Sequence, residues 1–439
     1  MLALALGLAL AVSPPPMTLQ ATQEKLGNGM TVIYSVDHRV PGVAVQVAYQ
    51  VGSRDESPGR TGFAHLFEHL MFMGSTHAPY PEFDTLMEKY GGQNNAETGN
   101  DRTIYYEFGP SNLLQTFLWL EADRLYTLPD TMTDKKVDAQ RLVVLNERRQ
   151  SYENRPYGMT EISVDENLFP PAYPYHWPVI GYQMDLEAAS TADVVAFFRK
   201  YYTPSNAILC IVGDFDPDKA REAVHKYFAW MPSHPVQRTA PPALPPLAAS
   251  KTMELSDKVE LPKAVLAWRA PPEGTPEDAA LDLLGQILAG SKASRLYRTL
   301  VYEKQLAQDV SAGENSMKLA SIFQVEVLAN PGHTAQEEIA AATAVLQELA
   351  SNGPSQAELD AAKLALYTGL AHALEPLVSR AMLMSRLQEQ YGDPTAIGRE
   401  LARYDQQTVQ SIQAAAKKLV AENHFTLTFK PAAAQSEAK

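Results

Sequence analysis

Cysteine is almost absent from this sequence, because a chain of 439 residues contains only one, Cys210. A single cysteine cannot form an intramolecular disulfide, so a disulfide-held fold is excluded and buried apolar side chains must stabilise the protein. Cys210 lies in the apolar run AILCIVG, which is typical of a buried strand. We therefore expect a buried thiol at this position rather than a reactive one.

Basic residues are also scarce relative to acidic ones. The chain has 37 Lys and Arg against 51 Asp and Glu, a formal net charge of -14. A surface of this sign repels phosphate backbones, so we expect no nucleic-acid partner. With 45% hydrophobic and 20% charged residues, the composition predicts large cores, and the length favours more than one domain.

Long hydrophobic runs are missing after the amino-terminal segment, so we expect no stable membrane span in the mature chain. The segment itself, MLALALGLALAVSPPP, is an apolar run followed by Ser and three Pro. This pattern predicts a signal segment over residues 1–18 and a periplasmic or otherwise exported protein. Because positive residues are lacking at its start, a lipid-associated anchor is the alternative.

Proline is concentrated in residues 232–250, PSHPVQRTAPPALPPLAAS, which show neither helical nor strand periodicity. This composition predicts an extended linker between a domain at 19–231 and a second domain at 251–433. In both halves apolar runs are interspersed with helical patterns, which favours an α+β fold. In the first half these patterns predict helices around residues 61–74, 80–90, 111–126, 133–153 and 191–202.

The two halves can be aligned with each other. The run LMFMGS ending at Ser75 matches QILAGS ending at Ser291, and the passage that starts at Thr191 matches the one that starts at Thr408. The offsets are 216 and 217 residues, and their agreement indicates a duplicated domain.

Three polar residues interrupt the apolar helical stretch TGFAHLFEHLMFMGS, residues 61–75: His65, Glu68 and His69. Spacings of three and four residues place their side chains on one face of a helix. Two imidazoles one turn apart can occupy adjacent corners of a tetrahedral zinc site, and a neighbouring carboxylate can reach a bound water.

The aligned positions of the second half carry Leu281, Leu284 and Gly285. The fold therefore tolerates apolar residues there, and we expect the polar residues of the first half to serve chemistry rather than folding.

A zinc site needs a third protein ligand, and the residues alone leave two carboxylates open. Glu147 lies in the helical stretch DKKVDAQRLVVLNERRQSYENRP and Glu121 in FLWLEADRL. His77 and His176 lie in Pro- and Tyr-rich segments, which favours loop packing over zinc ligation.

The pattern H-x-x-E-H, followed by Val143-Val144-Leu145-Asn146-Glu147, resembles the pitrilysin/insulinase family of zinc metallopeptidases. The resemblance implies two homologous α/β domains of the mitochondrial-processing-peptidase type. It also implies that His65, His69 and Glu147 bind one Zn²⁺ per chain, and that Glu68 is the catalytic base in an endopeptidase acting on oligopeptides. One departure is Gln140, where a carboxylate often stands, so the support of Glu147 is expected to differ.

The stretch GGQNNAETGNDRTIYYEF, residues 91–108, predicts a hairpin. In the family the corresponding Asn and Ala lie on an edge strand that pairs with the substrate backbone. The resemblance therefore implies Asn95 and Ala96 as substrate-binding residues.

Self-sufficient members of the family carry an Arg and a Tyr, seven residues apart, that bind substrate and stabilise the oxyanion. Here those positions hold Val301 or Tyr302, and Gln308. The resemblance implies a homologous partner subunit that lacks H-x-x-E-H but supplies the Arg and Tyr, as in bacterial heterodimers. A homodimer or monomer is the alternative, in which one of three nearby side chains takes over: Arg295, Tyr297 or Arg298. A proteolytically silent binding or assembly subunit is a further alternative.

Overall fold

The computed structural model describes residues 17–432, so nearly all of the predicted signal segment lies outside the described residues. The strands are β1 (Thr22–Lys25), β2 (Thr31–Val36), β3 (Gly42–Tyr49), β4 (Gln93–Thr98), β5 (Thr103–Pro110), β6 (Ala207–Gly213), β7 (Lys251–Asp257), β8 (Lys263–Ala270), β9 (Ala307–Asn315), β10 (Ser321–Ala329) and β11 (Phe425–Pro431).

The α-helices of the first half are α1 (Phe63–Leu70), α2 (Glu82–Tyr90), α3 (Leu114–Thr127), α4 (Asp134–Arg148), α5 (Thr160–Leu168), α6 (Gln183–Ala188), α7 (Thr191–Tyr201) and α8 (Pro217–Phe228). Those of the second half are α9 (Pro276–Ala289), α10 (Ala335–Asn352), α11 (Gln356–Ala373), α12 (Leu377–Tyr391), α13 (Ile397–Asp405) and α14 (Val409–Ala421). All five helices predicted in the first half are present, and residues 232–250 form neither helix nor strand. Among the described helices, none is both long enough and apolar enough to cross a bilayer.

Each half contains one mixed β-sheet. The strand order is β1-β2-β6-β3-β5-β4 in the first sheet and β7-β11-β8-β10-β9 in the second. Strands β2 and β6 are parallel, as are β7 and β11, whereas the other pairs are antiparallel. From β2 onward the two orders are equivalent, so the predicted α+β fold and internal duplication are confirmed.

One face of the first sheet packs against the helices of its own half. Val45 and Val47 of β3 share a core with Phe67 of α1, Phe117 of α3 and Phe198 of α7. Helix α1 takes part because its apolar residues recur at helical spacing, and those buried are Phe63, Ala64, Leu66, Phe67 and Leu70. The burial of this face fixes the direction in which the polar residues of α1 project.

The opposite face of the first sheet is covered by a helix of the second half. Leu377, Ala381 and Met384 of α12 pack on Ile33 of β2 and on Cys210 of β6. Cys210 is fully buried, as predicted from its apolar run.

A helix of the first half covers one face of the second sheet. Val164 and Leu168 of α5 pack with Val265 and Ala267 of β8 and with Leu427 of β11. Because each half covers a sheet face of the other, separating the halves would expose two apolar surfaces.

The hairpin turns of the two sheets also meet. Asp101, in the turn between β4 and β5, accepts hydrogen bonds from Arg54 at 2.8 Å, from Tyr175 at 2.7 Å and from the backbone N–H of Lys318 at 3.0 Å. Lys318 lies in the turn between β9 and β10, so one carboxylate joins equivalent turns of the two halves.

We expect the two halves to unfold in a single transition, because α5 and α12 cross between them. Replacing Met384 by Ala leaves a cavity under α12 and is expected to lower the free energy of unfolding by about 2–5 kcal/mol. Chemical denaturation followed by circular dichroism and by tryptophan fluorescence measures both effects.

The matched control is Leu364→Ala on α11, whose side chain is 56% exposed and whose loss is expected to change stability by less than about 0.5 kcal/mol. Two separate transitions, of which Met384→Ala shifts only one, would contradict the interlocked arrangement.

Candidate metal centre

The start of α1 is fixed by its surroundings. Gly62 has a φ of 80°, and a Cβ there would lie 2.8 Å from Gly181 Cα and from Ile180 O. Only glycine fits both the conformation and the close approach. The Glu56 carboxylate accepts the N–H groups of Gly62 at 2.9 Å and of Ala64 at 2.8 Å, which satisfies donors that a helix start leaves free.

Opposite its buried apolar side, α1 brings together His65, Glu68 and His69. One potential ligand atom of each lies within 4.8 Å of the others. The imidazole centroids are 4.8 Å apart with an interplanar angle of 80°. His65 is buried, and its Nδ1 has no hydrogen-bond partner within residues 17–432, so packing rather than a second hydrogen bond orients the ring.

Helix α4 packs against α1 and brings Glu147 to the two imidazoles. Glu147 Oε2 is 3.3 Å from His69 Nε2 and 3.7 Å from His65 Nε2. Ligands at zinc–nitrogen and zinc–oxygen distances of 2.0–2.1 Å occupy tetrahedral corners about 3.3–3.4 Å apart. The 3.3 Å spacing to His69 matches this value and the 3.7 Å spacing to His65 is slightly longer, so these three side chains could hold a zinc ion. The Glu147 side chain, 41% exposed, leaves the site open on one side.

Glu68 has a different partner from Glu147. The hydroxyl of Thr98 on β4 donates a hydrogen bond to Glu68 Oε2 at 2.5 Å. Burial raises the pKa of Glu68, although the Thr98 hydrogen bond and the nearby His69 oppose the shift. The carboxylate that contacts both imidazoles is thus Glu147, whereas Glu68 is held beside the edge strand.

The charge states of the imidazoles and of Glu147 depend on one another. Burial, and then the proximity of His69, lowers the pKa of His65 to about 4. Burial acts to lower the pKa of His69 too, but the hydrogen bond to Glu147 and the charge of Glu68 raise it overall. The His69 hydrogen bond lowers the pKa of Glu147. His65 is therefore neutral near pH 7, which is the form of imidazole that binds metals.

The other carboxylate left open by the sequence, Glu121, is committed elsewhere. It is fully buried on α3 and accepts a hydrogen bond from Arg124 Nε at 3.0 Å. Arg124 also contacts Glu107 at 3.2 Å, so Glu121 belongs to a buried charge cluster.

The two loop histidines have the structural partners expected of them. His77 Nδ1 lies 2.6 Å from Asp123 Oδ1, and His176 Nδ1 lies 2.8 Å from Phe169 O.

Gln140 lies on the same face of α4 as Glu147, about two helical turns before it. Its side-chain amide is 2.9 Å from Met73 Sδ and lies beside His69. The support that a carboxylate would give from this position is thus replaced by an amide next to one imidazole.

The equivalent place in the second half is closed. Leu281 and Leu284 are buried in the core of that half. A Cβ at Gly285 would lie 3.0 Å from Gly313 Cα and 3.1 Å from Ala312 O, so α9 approaches β9 closely. Within residues 17–432, His65, Glu68 and His69 are the one group of three potential ligands whose atoms all lie within 4.8 Å of one another; Glu147 stands outside this group, although its Oε2 is 3.3 Å from His69 and 3.7 Å from His65.

Asn95 and Ala96 lie on β4, which is both one arm of a hairpin and the last strand of its sheet. They pair with Tyr106 and Tyr105 of β5. The Ala96 N–H donates to the Asn95 side-chain oxygen at 2.9 Å instead of to β5, so this backbone donor faces the free edge.

The positions expected for an Arg and a Tyr hold other groups. Val301 and Tyr302 belong to the π-helical segment Tyr297–Glu303, in which Tyr302 is 77% exposed, and Gln308 is exposed on β9. Arg295 donates to Glu358 Oε1 at 2.7 Å and also contacts Glu348, so its guanidinium is engaged within the second half.

Sequence reasoning missed two residues that shape the site. Thr98 holds Glu68, and Glu56 caps α1. The only sequence signal was that Thr98 falls within the hairpin stretch 91–108; nothing marked Glu56.

Two family descriptions match the chain: "Insulinase (Peptidase family M16)" over residues 31–173 and "Peptidase M16 inactive domain" over residues 188–366. The zinc protease PqqE of Helicobacter pylori is 31% identical over 346 residues, which cover 77% of each chain. The uncharacterized zinc protease YmxG of Bacillus subtilis is 22% identical over 411 residues, covering 92% of this chain and 97% of that protein.

Solved structures of proteases also match this chain. A protease from Helicobacter pylori matches with a TM-score of 0.86 and 27% identity, covering 94% of this chain and 100% of that one. The periplasmic protease PqqL from Escherichia coli shares the fold, with a TM-score of 0.77 and 19% identity over 96% of this chain and 48% of that one. The sequence relationship to PqqE, together with the H-x-x-E-H cluster, shows that this chain belongs to the insulinase family of zinc proteases, peptidase family M16.

Proposed function

We propose that His65, His69 and Glu147 hold one zinc ion per chain and that Glu68 is the general base of an endopeptidase that cleaves oligopeptides. The observation that carries this assignment is the position of Glu147 Oε2, which lies at a tetrahedral corner spacing from both imidazoles. When bound, zinc polarises the scissile carbonyl and makes water more acidic.

Glu68 is placed to move the proton. One carboxylate oxygen is held by Thr98, which orients the group without a positive charge, and the carboxylate lies beside the imidazole pair. It accepts a proton from the attacking water and can return it to the leaving amine. Burial raises the pKa of Glu68 toward the range in which a carboxyl group can perform both steps.

The free edge of strand β4 is evidence that the substrates are extended peptides. The outward N–H of Ala96 is hydrogen-bonded to the Asn95 side chain, and a substrate carbonyl can replace that side-chain oxygen. A peptide would then add to the sheet edge as a further strand, beside the strand that holds Glu68 through Thr98. Such pairing requires an unfolded segment, which favours oligopeptides over folded proteins.

We further propose that a homologous subunit without H-x-x-E-H completes the site. At the position of the Arg, neither Val301 nor Tyr302 carries the charge of a guanidinium, and at the position of the Tyr, Gln308 has no phenol. Arg295 is held by Glu358. The comparison of folds supports a second unit. This chain covers 48% of PqqL but 93% of a chain that comprises only the first half of that protease, so PqqL has a further half beside the one that this chain resembles.

The proposal includes the layout of the chain and its location. Residues 19–231 form the zinc-binding domain, residues 232–250 the linker and residues 251–433 a domain without metal ligands. An exported location is supported by the apolar segment before the proline cluster at residues 14–16 and by the shared fold of PqqL, which is described as periplasmic.

Replacing His69 by Gln is expected to reduce bound zinc from one ion per chain to a small fraction, because one of three protein ligands is lost. Elemental analysis after dialysis measures the zinc content. His77→Gln is the matched control, since His77 lies just beyond α1 but is bound to Asp123. Equal zinc content in both variants would remove His69 from the ligand set.

Glu68→Gln is expected to retain zinc while kcat for a quenched fluorescent peptide falls about 10²- to 10⁴-fold, because the amide cannot accept the proton. The assay uses the complete enzyme, with any partner present. A variant that keeps more than about a tenth of wild-type turnover would contradict the role of Glu68 as general base.

Purified alone and loaded with zinc, the chain is expected to show no peptide hydrolysis, and adding a sibling subunit that carries the Arg and Tyr is expected to restore it. Size-exclusion chromatography with light scattering reports the assembly formed. Turnover by a monomer or homodimer would overturn the heterodimer. Absence of stoichiometric zinc would instead favour the silent binding or assembly subunit.

A further inference from the structure

The turn that follows β4 is rigidly built. The backbone N–H groups of Ser53 and Arg54 donate to Gly99 O at 3.2 Å and to Asn100 O at 3.0 Å. A Cβ at Gly52 would lie 2.4 Å from both of these oxygens, so glycine is required for this contact. The turn is therefore fixed by backbone contacts, and Asp101 anchors it to the second half.

Basic side chains gather where this turn meets the second half. Three of them have carboxylate partners: Arg54 with Asp101, Arg386 with Glu273, and Lys318 with Glu389. The guanidinium of Arg102 is the exception, because it makes no hydrogen bond or ion pair with any residue in the part of the chain that the structure describes, 17–432. Its surrounding charges include Glu273 and Glu97, which lie beyond ion-pair distance.

The direction of Arg102 follows from the register of the hairpin. The next residue, Thr103, is buried on the α1 side of the sheet, and Ile104 points to the α12 side. Because side chains alternate along a strand, Arg102 shares the side of Ile104. Glu97 pairs with Ile104 and so lies on this side as well, as does Asn95.

A peptide added to the edge of β4 would also alternate. Every second side chain would project to the side of Asn95 and Glu97, and Arg102 lies on this same side, across the turn from Gly99. A bound peptide would thus bring one of its groups near the guanidinium without any movement of the backbone.

The state of Arg102 indicates what that group is. Burial lowers the pKa of Arg102, which means that part of the hydration of the charge is lost. A partly desolvated charge without a partner is unfavourable, and a carboxylate can satisfy a guanidinium through two parallel hydrogen bonds.

We propose that Arg102 binds a carboxylate of the peptide substrate and so determines specificity at the turn end of β4. This inference rests on the proposed edge-strand mode of binding. The carboxylate comes either from the carboxyl terminus of the peptide or from an Asp or Glu side chain, and the two sources are separated by experiment.

The test measures binding rather than turnover. The zinc-loaded enzyme carrying Glu68→Gln, with any partner present, is titrated against fluorescein-labelled synthetic peptides and followed by fluorescence anisotropy. One peptide pair differs only in a free or amidated carboxyl terminus. A second set replaces a single Glu, moved along the sequence, by Gln.

We expect Arg102→Gln to weaken binding of a carboxylate-bearing peptide about tenfold, and to leave its neutral counterpart unchanged. The peptide pair whose charged and neutral members bind equally well to the Arg102→Gln variant identifies the source of the carboxylate. Arg199→Gln is the matched control, because Arg199 is an exposed arginine of α7 paired only loosely with Asp130. Arg102→Lys, which keeps the charge but not the planar fork, is expected to recover part of the affinity.

An equal loss for charged and neutral peptides, or no loss for either, would overturn the inference. Circular dichroism and zinc content check that Arg102→Gln is folded, and Arg102→Lys provides the same comparison if it is not. If no peptide binds the parent enzyme, both this inference and the edge-strand mode are wrong. If peptides bind with the expected preference but the wild-type enzyme does not cleave them, only the proposed activity fails.

Discussion

The burial of α1 against the first sheet is the constraint on which the site depends. Phe67 and its apolar neighbours hold one side of the helix in the core, while Glu56 and Gly62 fix its first turn. The imidazoles of His65 and His69 can then project only toward α4. Three side chains placed in this way by packing would meet the proposed zinc ion with little further ordering, which is how a rigid scaffold raises affinity.

The second half contributes to this scaffold although its own copy of the site is closed. Helix α12 supports the back of the sheet whose edge strand carries Thr98, and Asp101 ties the following turn to Lys318. The second half therefore supports the sheet and the turn beside the candidate site. The second half lacks the three polar residues, and its packing leaves no room for one of them. Gly285 lets α9 lie close to β9, whereas a histidine at this position would need more space.

Much of this architecture follows from the sequence because it rests on local periodicity. The helical spacing of His65 and His69, the repeat offset and the buried strand around Cys210 are all short-range patterns. The choice between Glu147 and Glu121 is not, since both occur in helices and only the packing of α4 against α1 separates them. The contacts of Thr98 and Glu56, and the sheet that α12 covers, likewise depend on tertiary packing that no local pattern encodes.

The exchange of α5 and α12 has a consequence for the peptide connection between the halves. The apolar contacts between the halves come mainly from α5 and α12, to which residues 232–250 add Leu244 and Leu247, so the covalent link is not what keeps the halves together. A chain cleaved within this segment would remain a non-covalent pair of halves. It would resemble a domain-swapped dimer, in which the protomers exchange secondary-structure elements. The arrangement is what fusion of such a dimer into a single polypeptide would produce.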